Sequence, residues 1–203
     1  EAGPDLLINF NGRLAQRTDI SQAPVAPVYY GYRRGLYSGW GGYAYETRVD
    51  QLIGYDSNFD LVNVAEARIR GAELTFATTL AGFDLSTQLS HTDPRNRSAG
   101  PNHDNLLARR PRNTARIDVD RAFGDVRTGL TFNAAGERYD NLANTDRLGG
   151  YSTLDLRLEY AIAPAWTLQA KVGNVFDREY ETVAWYNQAG RTYGLSLRYQ
   201  PAE

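Results

Sequence analysis

Apolar and polar residues alternate one for one through most of this chain, the repeat of β-strands with two unlike faces. In the last such run Tyr193, Leu195, Leu197 and Tyr199 alternate with Thr192, Gly194, Ser196 and Arg198. The run before it opens at Trp166 and sets Leu168, Ala170 and Val172 against residues such as Lys171. Upstream, Leu154, Leu156, Leu158 and Tyr160 alternate with Thr153, Asp155, Arg157 and Glu159, and Val126 to Ala134 alternates in the same way. Ala115, Ile117 and Val119 oppose Arg116, Asp118 and Asp120. Phe83, Leu85, Thr87 and Leu89 make a further apolar face, as do Ala72, Leu74, Phe76 and Thr78. From Trp40, Tyr43, Tyr45, Thr47 and Val49 alternate with Ala44, Glu46 and Arg48, and the strand is expected to continue through Ile53 to Tyr55. Two further strands are read nearer the start, one through Ile8, Phe10, Gly12 and Leu14 and a short one over Tyr29 to Arg34.

The connections fall into two kinds. Tight turns are predicted at Gly82, Gly124 and Pro164, and longer polar loops near Asp56, Asn96, Ala143 and Asn187. The loop around Asn96 is read from His91 to Ala108, and the next from Glu137 to Gly150. Residues 18–27 are read as a loop as well, because Pro24 and Pro27 remove donors and fix φ. In the run from Trp166 the alternation breaks at Gly173-Asn174, which predicts a β-bulge there.

The faces argue against a soluble sheet. Arg116, Asp118, Asp120, Arg127, Asp155, Arg157, Glu159, Lys171 and Arg198 all fall opposite the apolar face. A soluble barrel fills its interior with apolar side chains. Charges on one face and Leu, Val, Phe and Tyr on the other suit a closed wall with water inside and lipid outside. The expected fold is therefore all-β, an antiparallel transmembrane β-barrel of about ten strands, with its short turns toward the periplasm. Trp40, Tyr160, Trp166 and Tyr199 are candidates for the aromatic girdles at the membrane surfaces. A soluble antiparallel sheet with one wet face is the competing reading.

Composition narrows the picture further. The chain has 203 residues, and its net charge of -2 gives no basic surplus for nucleic acid. No stretch approaches the roughly 20 apolar residues of a membrane helix, which leaves only strands to cross. There is no Cys, hence no disulfide framework or thiolate site, and no Met, which suggests a processed chain or an excised piece. Lys171 is the only lysine. Arginine pairs bidentately with phosphates such as those of lipopolysaccharide; a genome rich in arginine codons explains the same bias.

Lys171-Val-Gly-Asn-Val-Phe-Asp-Arg-Glu-Tyr180 resembles the signature near the end of TonB-dependent outer-membrane transporters, Asn-Leu-Phe-Asp-x-x-Tyr, here with Val175 in place of Leu. Gly190 to Tyr199 resembles the closing strand of that family, although Gln200-Pro-Ala-Glu203 follows the terminal aromatic. Within the family, Thr47 to Asp56, Ala67 to Glu73 and above all Glu181 to Arg191 are similar to the vitamin B12 (cobalamin) transporters. The resemblance implies a bacterial outer-membrane location, in contact with lipid and lipopolysaccharide. Family members carry a plug domain and a barrel of 22 strands, and no plug is read in residues 1–203. The chain is thus expected to be the C-terminal part of such a barrel or a reduced barrel built on its last strands, with TonB reached only through a plug.

The resemblance places Arg109 and Tyr186 where cobalamin transporters contact their ligand; an arginine serving loop acceptors and an interfacial tyrosine are the plainer alternatives. His91 and His103 are too isolated for a zinc site. Asp177, Glu179 and Glu181 read as a solvated rim rather than an acid–base pair. Asp93, Asp104, Asp140 and Asp146 lack the spacing of a calcium loop. With no phosphate loop or nucleophile motif the chain does not read as an enzyme, and no cofactor is implied. Three functions compete: part of a cobalamin transporter, a small self-closed or engineered barrel acting as pore or scaffold, and part of a siderophore receptor.

Overall fold

A computed structural model describes residues 39–55 and 61–200, and before them three strands of four residues each. Among the described residues the first two strands, β1 (Leu6–Asn9) and β2 (Arg13–Gln16), pair only with each other. Ile8 faces Leu14 in that pairing, so the single strand expected through residues 8–14 is two strands. The strand expected over residues 29–34 and the turn at 56–60 lie outside the described residues.

Among the described residues nine strands make one continuous antiparallel sheet. In chain order they are β3 (Gln22–Val25), β4 (Gly39–Tyr55), β5 (Leu61–Leu80), β6 (Phe83–Asn96), β7 (Asn113–Phe123) and β8 (Val126–Ala135), then β11 (Tyr151–Ala163), β12 (Trp166–Gly173) and β15 (Thr192–Tyr199). Two small hairpins stand on its loops, β9 (Arg138–Tyr139) with β10 (Arg147–Leu148), and β13 (Glu181–Val183) with β14 (Tyr186–Asn187). Each long strand pairs with its sequence neighbour, which is the up-and-down order expected of a membrane barrel. Among the described residues the sheet is open: β3 forms one edge, β15 the other, and the two do not pair.

Two prolines sit in strands where loops were expected. Pro24 lies in β3, which is paired on one side only, so its missing donor removes no ladder bond. β6 runs on to Asn96 with Pro94 opposite Ile69, beyond His91, where its ladder with β7 ends. There Pro94 accepts a hydrogen bond from the Leu107 N–H at 2.9 Å.

The register sorts the side chains into two faces. Leu154, Phe132, Ile117, Thr87, Phe76 and Trp40 lie side by side across six strands. Such apolar rows repeat from Tyr160 at the turn end to Ala72 toward the loops, a span of about ten residues along a strand. At about 3.3 Å per residue and a tilt of about 40°, that gives an apolar band about 25 Å tall, the height of a bilayer's hydrocarbon layer. Trp166 and Tyr199 pair at the turn end with ring centroids 4.7 Å apart, as a girdle requires. Trp40 does not belong to a girdle, because it shares the mid-band row of Phe76. Tyr43 and Tyr45 in turn share the polar face, opposite Glu73 and Gly71. The Tyr45 ring lies over Gly71, where an added Cβ would fall 2.6 Å from the ring.

The charged face is paired within itself. Arg157 reaches Asp120 at 3.0 Å and Asp118 at 3.7 Å, while Arg116 clasps Asp118 at 2.7 Å. Lys171 lies 3.6 Å from Asp155, and Gln169 donates to Glu159 at 2.8 Å. Gly129 lets Arg157 cross its strand, since a Cβ there would stand 2.5 Å from Asp120 and 2.8 Å from the guanidinium.

The expected bulge at Gly173-Asn174 takes another form. β12 pairs without interruption to Gly173 and then ends. Asn174 turns into the left-handed region with φ 49°, and the Val175 N–H meets the Leu154 carbonyl at 2.8 Å, one residue out of register with the pair Leu156–Val172. The one-residue correction is present at the end of the strand rather than inside it.

Candidate functional site

Three long loops meet at the end of the sheet away from the tight turns. A small apolar core of Val64, Ala67, Leu107 and Leu142, joined by Val49, Leu52 and Ile69, fixes two of them onto β4 and β5. Asn144 brackets Leu106, its side-chain amide donating to the carbonyl at 2.9 Å and accepting the N–H at 2.8 Å. Asn105 donates to the Leu142 carbonyl at 3.0 Å. Buried Asn141 holds its own loop together through Thr145 at 2.7 Å and Asp146 at 2.9 Å. Polar loops are ordered here by amide side chains that act as surrogate backbone.

Asp140 joins all three loops. It is 4% exposed, and Arg109 grips it with two guanidinium bonds of 2.9 and 3.3 Å. The Ala184 N–H, in the last loop, donates to the same carboxylate at 3.1 Å. The Arg109 N–H donates to the Tyr139 carbonyl at 2.6 Å, and its backbone is left-handed with φ 61°. Arg109 is therefore tied into the loop junction. Tyr186 sits on β14, two residues beyond Ala184, and is 65% exposed. The loops of the two predicted contact residues are brought together through Asp140, with Tyr186 presented outward.

The sequence motif at Asn174 proves to be the clamp at the base of the last loop. Asn174 is buried, donates to the carbonyls of Arg178 at 2.9 Å and Ala189 at 3.3 Å, and accepts the Arg178 N–H at 2.9 Å. Its own N–H donates to Asp155 on the inner wall at 2.8 Å. Asp177 accepts the Arg191 N–H at 2.6 Å, and Glu181 accepts that of Trp185 at 3.3 Å. These two carboxylates accept hydrogen bonds from loop backbone. Tyr180 stacks on Tyr151 at 3.9 Å, and buried Arg138 lies over the Tyr151 ring at 5.2 Å. Burial, followed by Tyr151 and Asp155, holds the Tyr180 phenol above its usual pKa. Replacing Asn174 by alanine removes three side-chain hydrogen bonds at a left-handed position. A loss of about 1–2 kcal/mol is expected, read as faster proteolysis within residues 174–191.

Beneath the loops, the polar face bears a hollow of about 640 Å³ whose polar groups include Tyr43, Glu73, Gln88, Arg116, Asn133 and Tyr151. The Tyr43 hydroxyl donates to Glu73. The wall thus offers donors, acceptors and two aromatic rings to a molecule entering below the loops. Among the described residues no group of three His, Cys, Asp or Glu could hold a metal ion.

The fold has close counterparts among solved structures. The siderophore receptor PiuA from Acinetobacter baumannii matches with TM-score 0.67 and 17% identity over 80% of this chain and 26% of its own. The ferric yersiniabactin uptake receptor FyuA from Yersinia pestis gives TM-score 0.69 and 21% identity over 84% and 28%. The copper transporter OprC gives TM-score 0.65 and 22% identity over 84% and 29%. This chain spans little more than a quarter of each. A family model described as TonB dependent receptor-like, beta-barrel, matches residues 28–175, well over half the chain. The alternation, the membrane-height apolar band, the open sheet and this match lead to one conclusion: the chain belongs to the TonB-dependent receptor β-barrel family and is part of an outer-membrane barrel.

Proposed function

We propose that these strands are the wall and part of the loop crown of a transporter that takes up a bulky metal chelate. The observation that carries this is the loop junction at Asp140, which fixes a preorganised rim above the polar hollow. Cobalamin is the chelate favoured by the stretch Glu181 to Arg191, which holds Tyr186. A ferric siderophore is the second reading, favoured by the receptors named above. On either reading Tyr186 touches the ligand, and Arg109 acts by positioning the rim. Residues 1–203 act as one barrel portion, and coupling to TonB passes through a plug, which the described strands do not include.

A self-closed pore or scaffold fits less well. Unpaired backbone groups in lipid cost several kcal/mol each, so the free edge of β15 calls for a further strand beside it. The test is equilibrium binding of cyanocobalamin and of ferric siderophores to the full-length protein in outer-membrane vesicles. Tyr186→Ala is expected to weaken the binding of the true ligand about tenfold, the order of an aromatic contact at a hot spot. Binding of neither class would overturn the proposal, and saturable binding of a siderophore alone would select the second reading.

A further inference from the structure

The outward, apolar face carries a feature that ligand uptake does not use. Toward the loop end the row Leu74, Leu89, Ala115 and Ala134 is followed by Ala72, His91 and Asn113. Small side chains here leave a groove of about 630 Å³, floored by Ala72, Ala115 and Ala134 and walled by Leu74 and Leu89. Its upper rim is polar, with His91 Nδ1 and Asn113 Oδ1 2.7 Å apart.

Directly above the rim the same face becomes cationic. The next row is Glu46, Arg70 and Asp93, and the row after it is Arg48, Arg68 and Arg95, three arginines directly opposite one another on adjacent strands. Like charges in that arrangement repel. Arg48 and Arg70 share Glu46 at 3.4 and 2.5 Å, and Arg95 and Arg112 share Asp93 at 2.9 and 3.5 Å. Four arginines thus share two carboxylates, Arg68 stands between Arg48 and Arg95, and Asp50 and Glu66 close the belt above. The arginine row lies about 13 Å up-strand from the Ala72 row, at headgroup depth above the apolar band.

We propose that this face binds a phosphorylated glycolipid of the outer leaflet, of the lipopolysaccharide class, with an acyl chain in the groove and its phosphates on Arg48, Arg68 and Arg95. Guanidinium forks match phosphate geometry bidentately, and an anion there relieves the repulsion along the row. The inference rests on the outer-membrane location and is independent of which ligand is transported.

The test measures lipopolysaccharide retained per molecule of full-length protein, by native mass spectrometry after mild detergent extraction. Two variant sets are compared with Arg121→Gln, an arginine on the same face at the turn end. R48Q/R68Q/R95Q removes the belt, and Ala115→Phe with Ala134→Phe fills the groove. Each set is expected to lower retention about tenfold relative to R121Q. Heat-modifiable migration verifies folding, and Arg68→Gln alone replaces the triple variant if that variant does not reach the membrane. Unchanged retention in either set overturns the proposal, as does full displacement of the lipid by millimolar inorganic phosphate, which would mark a simple anion site.

Discussion

Asp140→Ala is expected to detach the last loop from its neighbours while leaving the barrel wall in place. The substitution removes two guanidinium bonds and the acceptor for the Ala184 N–H, and it leaves Arg109 in a pocket where its side chain is only 24% exposed. Loss of one partner from a largely buried charge-assisted pair costs about 3 kcal/mol. The cost falls on the loop junction, because no strand pairing runs through residue 140. Hydrogen exchange should rise in residues 181–187 and around Arg109, with the strands of the wall still protected. Uniform exchange across wall and loops would show that the crown and the wall do not behave as separate units.

Arg157→Leu should act on the wall itself. Its guanidinium donates to Thr131 on β8 and to Asp120 and lies 3.7 Å from Asp118, so one side chain of β11 serves two carboxylates of β7 across the intervening strand. Both acids are about one-fifth exposed and Arg157 about one-third, which discounts the full penalty of a buried pair. A loss of about 2 kcal/mol is expected. It should appear as a lower temperature for the heat-modifiable shift, smaller in the charge-neutral double variant in which Asp120 becomes Asn. An equal loss in the single and double variants would show that Arg157 matters by packing alone.

The wall was legible in the sequence because lipid and water enforce a strict period of two. Leu154, Phe132 and Ile117 read outward, and Asp155, Arg157 and Asp118 inward, before any register was known. What alternation does not reveal is which side is which when both are mixed. In β4 the tyrosines sit on the polar face because Trp40 and Ala44 are held opposite Phe76 and Ala72. Proline rules failed at Pro24 because it stands on an edge strand, and at Pro94 because β6 outruns its ladder with β7 and pairs there with the loop residue Leu107; sequence alone discloses neither. The loop junction was least legible. Asp140 meets partners 31 and 44 residues away, and an isolated aspartate in a polar loop carries no periodic signal. The Asn174 motif was recognised from family resemblance, and the structure supplies its physical cause in the bonds that close the loop base.

Over β7, β8, β11 and β12 the inner wall balances its own charge. On these strands Arg116, Arg127, Arg157 and Lys171 stand with Asp118, Asp120, Asp155 and Glu159, four against four, in contacts within one strand, between adjacent strands and, from Arg157, across two. A body moving along such a surface meets dipoles of alternating sign and no net field to strip of counterions. Friction at this stretch of wall should therefore depend little on ionic strength.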